Sequence, residues 1–165
     1  MTVYRTIAVQ TRYGVQIEGV ASGTVTPGML LERTSATAPT YKAHATAGGN
    51  LKGPKIVALE DDLQGASTTT DYATGVRLFC RAFQPGDLVA MILADGETAA
   101  VGAELESNGA GLLQTYTADI DIDSSAVTAN ANLVADQIVG IAEEAVDLSA
   151  SANLALNQHI LVRIS

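Results

Sequence analysis

Hydrophobic and polar residues alternate in short runs along most of this chain. In residues 159–165 (HILVRIS), Ile160, Val162 and Ile164 share one side, and Leu161, Arg163 and Ser165 share the other. That period of two specifies a β-strand with one dry face and one mostly wet face. A chain finishing on such a strand is expected to have its C-terminus stitched into a sheet. Residues 11–20 (TRYGVQIEGV) alternate in the same way, with Val15 and Ile17 opposite Gln16 and Glu18. Further strands are expected at residues 29–33 (MLLER), 41–46 (YKAHAT), 55–60 (KIVALE), 76–83 (VRLFCRAF) and 87–93 (DLVAMIL). Two more follow at 99–106 (AAVGAELE) and 112–117 (LLQTYT), the latter running on through the alternation of 119–123.

The punctuation between these runs is Gly, Pro, Asn and Asp. Thr26-Pro27-Gly28 suits a type II turn, because Pro presets φ at the second position and Gly accepts a positive φ at the third. Pro85-Gly86 repeats that signal before the 87–93 run, and Asp95-Gly96 and Asn108-Gly109 add two tight turns. Two hairpin signals so close together argue for antiparallel pairing. Segments 47–53 and 65–70 read as loops. Residues 126–136 could form one or two helical turns with Leu133 and Val134 inward. Their Thr and Asn are poor in a helix interior, and an ordered loop fits as well. No βα alternation of the kind that builds a parallel sheet is present, and no fixed-period repeat is evident. The fold class expected is all-β, a compact antiparallel barrel or sandwich with little helix.

Composition narrows what such a fold can do. The 165 residues suit one domain able to bury roughly 70% of its unfolded surface. Aromatics are only 4% and Trp is absent, so the core must be built from Ala, Val, Leu and Ile. Small side chains bury less area each, at about 25 cal/mol per Å², and such a chain gains from packing on a neighbour. Eighteen Asp and Glu against nine Lys and Arg give a formal charge of −9. An acidic body without a basic run repels a phosphate backbone, so no nucleic-acid partner is expected. No apolar run is long enough for a signal peptide or a membrane span, so no membrane partner and synthesis in a cytoplasm are expected. Cys80 is the single cysteine, which makes an intramolecular disulfide impossible. Its place beside Leu78 and Ala82 on one strand face reads as a buried structural thiol.

The candidate chemical sites each have a plainer structural reading. Asp119, Asp121 and Asp123 would project from one strand face roughly 7 Å apart by the two-residue rise, too wide for one cation on a flat strand. As a calcium loop the segment fails at Ser124, where a sharp-turn Gly belongs, and at Asn130, where a bidentate Glu belongs. Residues 48–55 (GGNLKGPK) superficially resemble a phosphate-binding loop, but Pro54 separates the last Gly from Lys55, and Ile56 follows where Ser or Thr is needed. Glu60, Asp61 and Asp62 read as solvated carboxylates at a strand end. Glu143 and Glu144 are strand neighbours that point to opposite faces and cannot act as an acid–base pair without a bulge. His44 and His159 are far apart, without metal-ligand spacing or a nucleophile elbow. His159 is expected to be solvated. A triad gathered from distant positions stays open at this level. The expectation is a non-enzyme without metal or other cofactor.

The serial order of several segments resembles the head decoration, or cement, proteins of tailed bacteriophages. Gly23-Thr-Val-Thr-Pro-Gly28-Met-Leu-Leu-Glu32 looks like their early turn and strand. Ala58-Leu-Glu60-Asp61, then Gly65, then Pro85-Gly86-Asp87-Leu88-Val89 look like their central portion. Val101-Gly-Ala-Glu-Leu105 with Gly109-Ala-Gly111-Leu112-Leu113 looks like the next hairpin. Ile138-Val-Gly140-Ile-Ala142-Glu143, Val146-Asp147 and the strand from Ile160 to Ile164 look like the usual ending. The resemblance runs from about residue 14 to 165, so residues 14–165 are expected to form one decoration domain. It implies a β-barrel or β-tulip-like body, often a homotrimer, seated outside an assembled capsid at junctions of major capsid protein subunits. The protein would then be a virion component, made in a bacterial host and placed on the outer capsid surface. In some relatives an N-terminal arm reaches neighbouring capsid subunits. Residues 1–13 are either such an arm, with Tyr4, Arg5, Arg12 and Tyr13 as capsid contacts, or a plain first strand. The alternative is another phage or cell-surface β module, such as a fibre base or a glycan-binding domain. The low aromatic content argues against sugar binding.

Overall fold

A computed structural model describes residues 4–12, 14–48, 53–117, 138–150 and 158–165. In chain order the first half forms β1 (Ala8–Gln10), β2 (Val15–Ala21), β3 (Leu30–Arg33), β4 (Thr40–Ala43), β5 (Lys55–Ala58) and β6 (Arg77–Phe83). The second half forms β7 (Leu88–Leu93), β8 (Thr98–Ala99), β9 (Glu104–Ser107), β10 (Leu113–Thr115), β11 (Ile138–Ala142), β12 (Val146–Asp147) and β13 (Gln158–Ile164). Among the described residues the helical content is one 3₁₀ turn, Asp62–Gln64. Asp61 caps it by accepting from the Gln64 N–H, and Gly65 closes it in the left-handed region.

Strands β2-β4-β3-β5-β6 close into a barrel. The remaining main sheet runs β1-β7-β10-β9-β11-β13, and a further pairing of β13 with β7 closes the circuit β7-β10-β9-β11-β13. Closure removes the unpaired edges of the strands within each circuit, while β1 ends the sheet with a partner on one side. The all-β, barrel-like expectation is met. Most pairings are antiparallel, but β2–β4 and β10–β7 run parallel.

The two barrels pack together through one side of the first. Leu31 of β3, Ala58 of β5 and Leu78 and Cys80 of β6 fill the first barrel, together with Ala21, Val25, Tyr41 and Tyr72. The alternate residues on the same three strands, Leu30, Val57, Phe79 and Phe83, belong to the larger core that includes Val89, Met91, Leu105, Leu113, Ile160 and Val162. Met29, Ile92, Ala94 and Leu112 form a small cluster of their own. A wall dry on both faces reads as a continuous apolar run rather than an alternating one. β6, Arg-Leu-Phe-Cys-Arg-Ala-Phe, follows this except at exposed Arg77 and half-buried Arg81.

Several local expectations are met. Thr26-Pro27-Gly28-Met29 is a turn closed by the Met29 N–H on the Thr26 carbonyl (3.1 Å), with Gly28 at φ +93°. Gln84-Pro85-Gly86-Asp87 repeats it at 3.0 Å, with Gly86 also at φ +93°. Ile160, Val162 and Ile164 are buried, and Arg163 and Ser165 are exposed. Other expectations are corrected. The 99–106 strand is split by a turn at Gly102 into β8 and β9, and β8 pairs with β12 instead of continuing the main sheet. Asp95-Gly96 does turn, yet the strands on either side of it are not partners. Asn108-Gly109 does join a paired hairpin, β9–β10. The helix expected at 126–136 and the alternation at 119–123 lie outside the described residues.

Candidate interaction surface

The N-terminal segment is folded onto the body. The Tyr4 hydroxyl donates to Glu144 Oε1 (2.8 Å), and the Tyr4 carbonyl accepts from Thr68 Oγ1 (3.1 Å). Burial beside the Glu144 carboxylate pushes the Tyr4 phenol well above its ordinary pKa, desolvation being the larger cause. Ile7 is fully buried; its N–H donates to Glu60 Oε2 (3.0 Å) and its carbonyl accepts from the Ala90 N–H (2.8 Å). Strand β1 then pairs antiparallel with β7. The Arg12 N–H donates to Asp87 Oδ1 (2.9 Å), and Arg81 Nη1 donates to Thr11 Oγ1 (2.9 Å). Of the four expected contact residues, Tyr4 is half-buried, Arg5 and Arg12 are exposed, and Tyr13 lies outside the described residues. Arg5 and Arg12 therefore present their charges to solvent while the backbone between them is anchored.

Glu60 corrects the reading of a solvated turn carboxylate. It is 8% exposed and satisfies a buried N–H fifty-three residues away. A buried carboxylate needs such a donor, since leaving it unpaired costs several kcal/mol. Its position directly after the apolar run KIVAL was the available signal. Asp61 and Asp62 remain at the surface. Glu143 and Glu144 do diverge: Glu143 pairs with Arg163, while Glu144 Oε1 accepts from Tyr4 and from the Leu161 N–H (2.9 Å).

The histidines are both polar seams. His44 Nδ1 lies 2.8 Å from Ser107 Oγ, and that oxygen also accepts from the Gly109 N–H (3.2 Å). Ser107 is fully buried, so this pair ties the end of β4 to β9 rather than facing a cleft. His159 is half-buried rather than fully solvated; its Nε2 lies 3.0 Å from the Pro27 carbonyl oxygen. A Cβ on Gly28 would come within 2.8 Å of that nitrogen, so the turn glycine also makes room for the imidazole. Desolvation lowers the pKa of both histidines, slightly opposed at His159 by the Pro27 hydrogen bond. Burial pushes the Cys80 thiol up to about 12, which makes it unreactive.

A groove of about 290 Å³ opens where β1 meets the first barrel. Leu59 and Phe79 are among its apolar lining, Thr6 and Ala8 form one side, and Gln16 and Arg81 form another. The lip is the acidic turn Glu60-Asp61-Asp62, followed by Leu63, which is 85% exposed. Among the described residues no group of three or more His, Cys, Asp or Glu is placed to hold a metal ion. Asp119, Asp121 and Asp123 lie outside the described residues, as does most of the glycine-rich loop before Pro54. Gly48 at its start donates its N–H to the Ser107 carbonyl (2.9 Å) and so serves the β4–β9 seam.

No protein-family model matches the chain, and no curated protein is similar to it. Among solved structures it is similar to the head fiber gp8.5 N base of bacteriophage phi29. The TM-score is 0.54 at 14% identity, over 93% of this chain and 95% of that one. The likeness covers nearly the whole of both chains, and at this identity it establishes a common fold.

Proposed function

We propose that this protein is a non-catalytic structural module of a bacteriophage head, a decoration protein that binds the outer surface of the assembled shell at junctions of major capsid protein subunits. One observation carries the reading: the near full-length fold similarity to a phage head fibre base. The serial resemblance of residues 14–165 to decoration proteins supports it independently. The physics suits the task. Two closed barrels packed through a common core make a stiff body, and a body that binds the assembled shell better than its precursor stabilises that shell by mass action. A homotrimer would present three linked contacts, raising avidity without any single strong one. Arg5 and Arg12 are the contacts we assign to the shell, as exposed cations flanking an anchored strand.

A second reading is favoured by the same fold similarity: a base that seats a longer fibre on the head. Mixing the purified protein with stripped heads and with precursor shells separates these possibilities. A decoration protein binds the mature shell in many copies and raises its melting temperature. A fibre base occupies few sites and leaves shell melting unchanged. No binding to either shell overturns both. Light scattering after size-exclusion chromatography tests the trimer directly.

A further inference from the structure

The groove beside β1 is an open strand edge at the bottom of an acidic cleft. The Ile7 carbonyl accepts from the Ala90 N–H and Ala8 stands opposite Val89, so Ala8 is a non-hydrogen-bonded position whose backbone groups turn away from β7. Ala8 is one of the groove-lining residues. Edges of this kind are normally blunted by Lys, by Pro or by a covering element. Here Ala8, Val9 and Gln10 carry no charge, and Val9 is exposed. Leu59 and Phe79 offer apolar contact, and Leu63 projects beside them into solvent. Glu60 is buried and turned to the Ile7 N–H, which leaves Asp61 and Asp62 as the surface carboxylates of the lip. Arg81 is the opposing cation, but it is committed to Thr11, and its Nε is buried beneath Gly14 without an acceptor.

We propose that this groove binds an extended polypeptide segment of a partner protein, one carrying Lys or Arg, as a short added strand on β1. The segment's backbone pairs with Ala8, an apolar side chain settles against Phe79 and Leu59, and its next basic side chain faces Asp61 and Asp62. This is strand addition, in which the main chain supplies affinity and alternate side chains supply specificity. The irregular register of β1 between Ala8 and Gln10 keeps the added strand short. The inference stands whether or not the protein is part of a phage head.

The test is selection of a random linear peptide library on the intact protein, with counter-screening on Asp61→Asn/Asp62→Asn and on Leu63→Ala. Both variants alter surface side chains, and Asn retains the capping role of Asp61. Enriched peptides should alternate apolar with Lys or Arg, lose about tenfold in affinity on the double Asn variant, a cost near 1.4 kcal/mol, and bind less tightly at high salt. They should perturb the amide resonances of Thr6, Ala8 and Phe79. The proposal is overturned by absence of enrichment, by peptides indifferent to both variants, or by perturbations confined to another surface.

Discussion

The two barrels solve the same packing problem with different materials. The first is filled by small or polar-tipped side chains: Ala21, Ala58, Cys80, Tyr41 and Tyr72, with Val25, Leu31 and Leu78. The Tyr72 hydroxyl reaches the Leu59 carbonyl at 2.8 Å, a directed bond inside the core. The second is almost wholly aliphatic, with Met91, Leu93, Leu105, Leu113, Ile160 and Val162 each excluded from water. The first is thus specified by close approach and hydrogen bonds, and the second by buried volume. Because the outer faces of β3, β5 and β6 pack into the second core, neither barrel can open without exposing a face of the other.

The sharpest way to break this contrast is to empty the aliphatic core. Leu105→Ala should cost about 2–5 kcal/mol, read as a lower urea midpoint, since a fully buried Leu leaves a cavity. Cys80, in the other barrel, then serves as the reporter. Its labelling by a thiol reagent should rise at the same urea concentration as the global transition, in the variant and in the parent. Labelling at lower urea would show that the barrels unfold separately and that the packing between them does not couple them.

A smaller effect is expected at two strand glycines, one per barrel. A Cβ on Gly140 would lie 2.4 Å from the Arg163 carbonyl oxygen across β11–β13, and one on Gly19 would lie 2.5 Å from the Pro39 carbonyl oxygen. Neither has room to add a methyl group without moving backbone, so Gly140→Ala and Gly19→Ala should each cost about 1–3 kcal/mol. A neutral result at Gly19 would mean that close approach does not specify the first barrel.

Tyr72→Phe keeps the ring and removes the bond to Leu59, for an expected loss near 1 kcal/mol in a thermal or urea melt. An unchanged midpoint would remove the directed-bond half of the comparison. The smallest effect is in pH. His44 and His159 have folded pKa values below the usual 6.5 because burial disfavours the imidazolium. The unfolded chain takes up protons near pH 6.5 that the folded chain refuses, so their stabilisation is fully present above that pH. It is lost as pH falls toward the depressed folded values. The melting temperature should therefore decline on acidification from neutrality into that range, and His44→Gln together with His159→Gln should flatten the decline.

Much of this molecule was legible as sequence because it is local. The dry face of β13 follows from period-two alternation, and the turns at Pro27-Gly28 and Pro85-Gly86 follow from φ preferences within four residues. The buried thiol of Cys80 was legible from its strand neighbours. The break at Gly102 was not, because Ala99 to Glu106 carries an apolar pattern compatible with one strand. Apart from the β9–β10 hairpin marked by Asn108-Gly109, which strands pair was invisible too, since alternation fixes a face and not a partner.

Only the tertiary structure decided that Glu60 would be a buried acceptor for Ile7, that His44 would meet Ser107 and that His159 would meet Pro27. It also decided that the middle of β6, Leu78 to Cys80, would be buried on both faces, and that a cleft would form beside β1. Each of these joins residues 50 or more positions apart, or two layers of the body. A side chain's nearest neighbours in sequence set its backbone geometry, but its solvent exposure and hydrogen-bond partners are set by whichever distant strand closes over it.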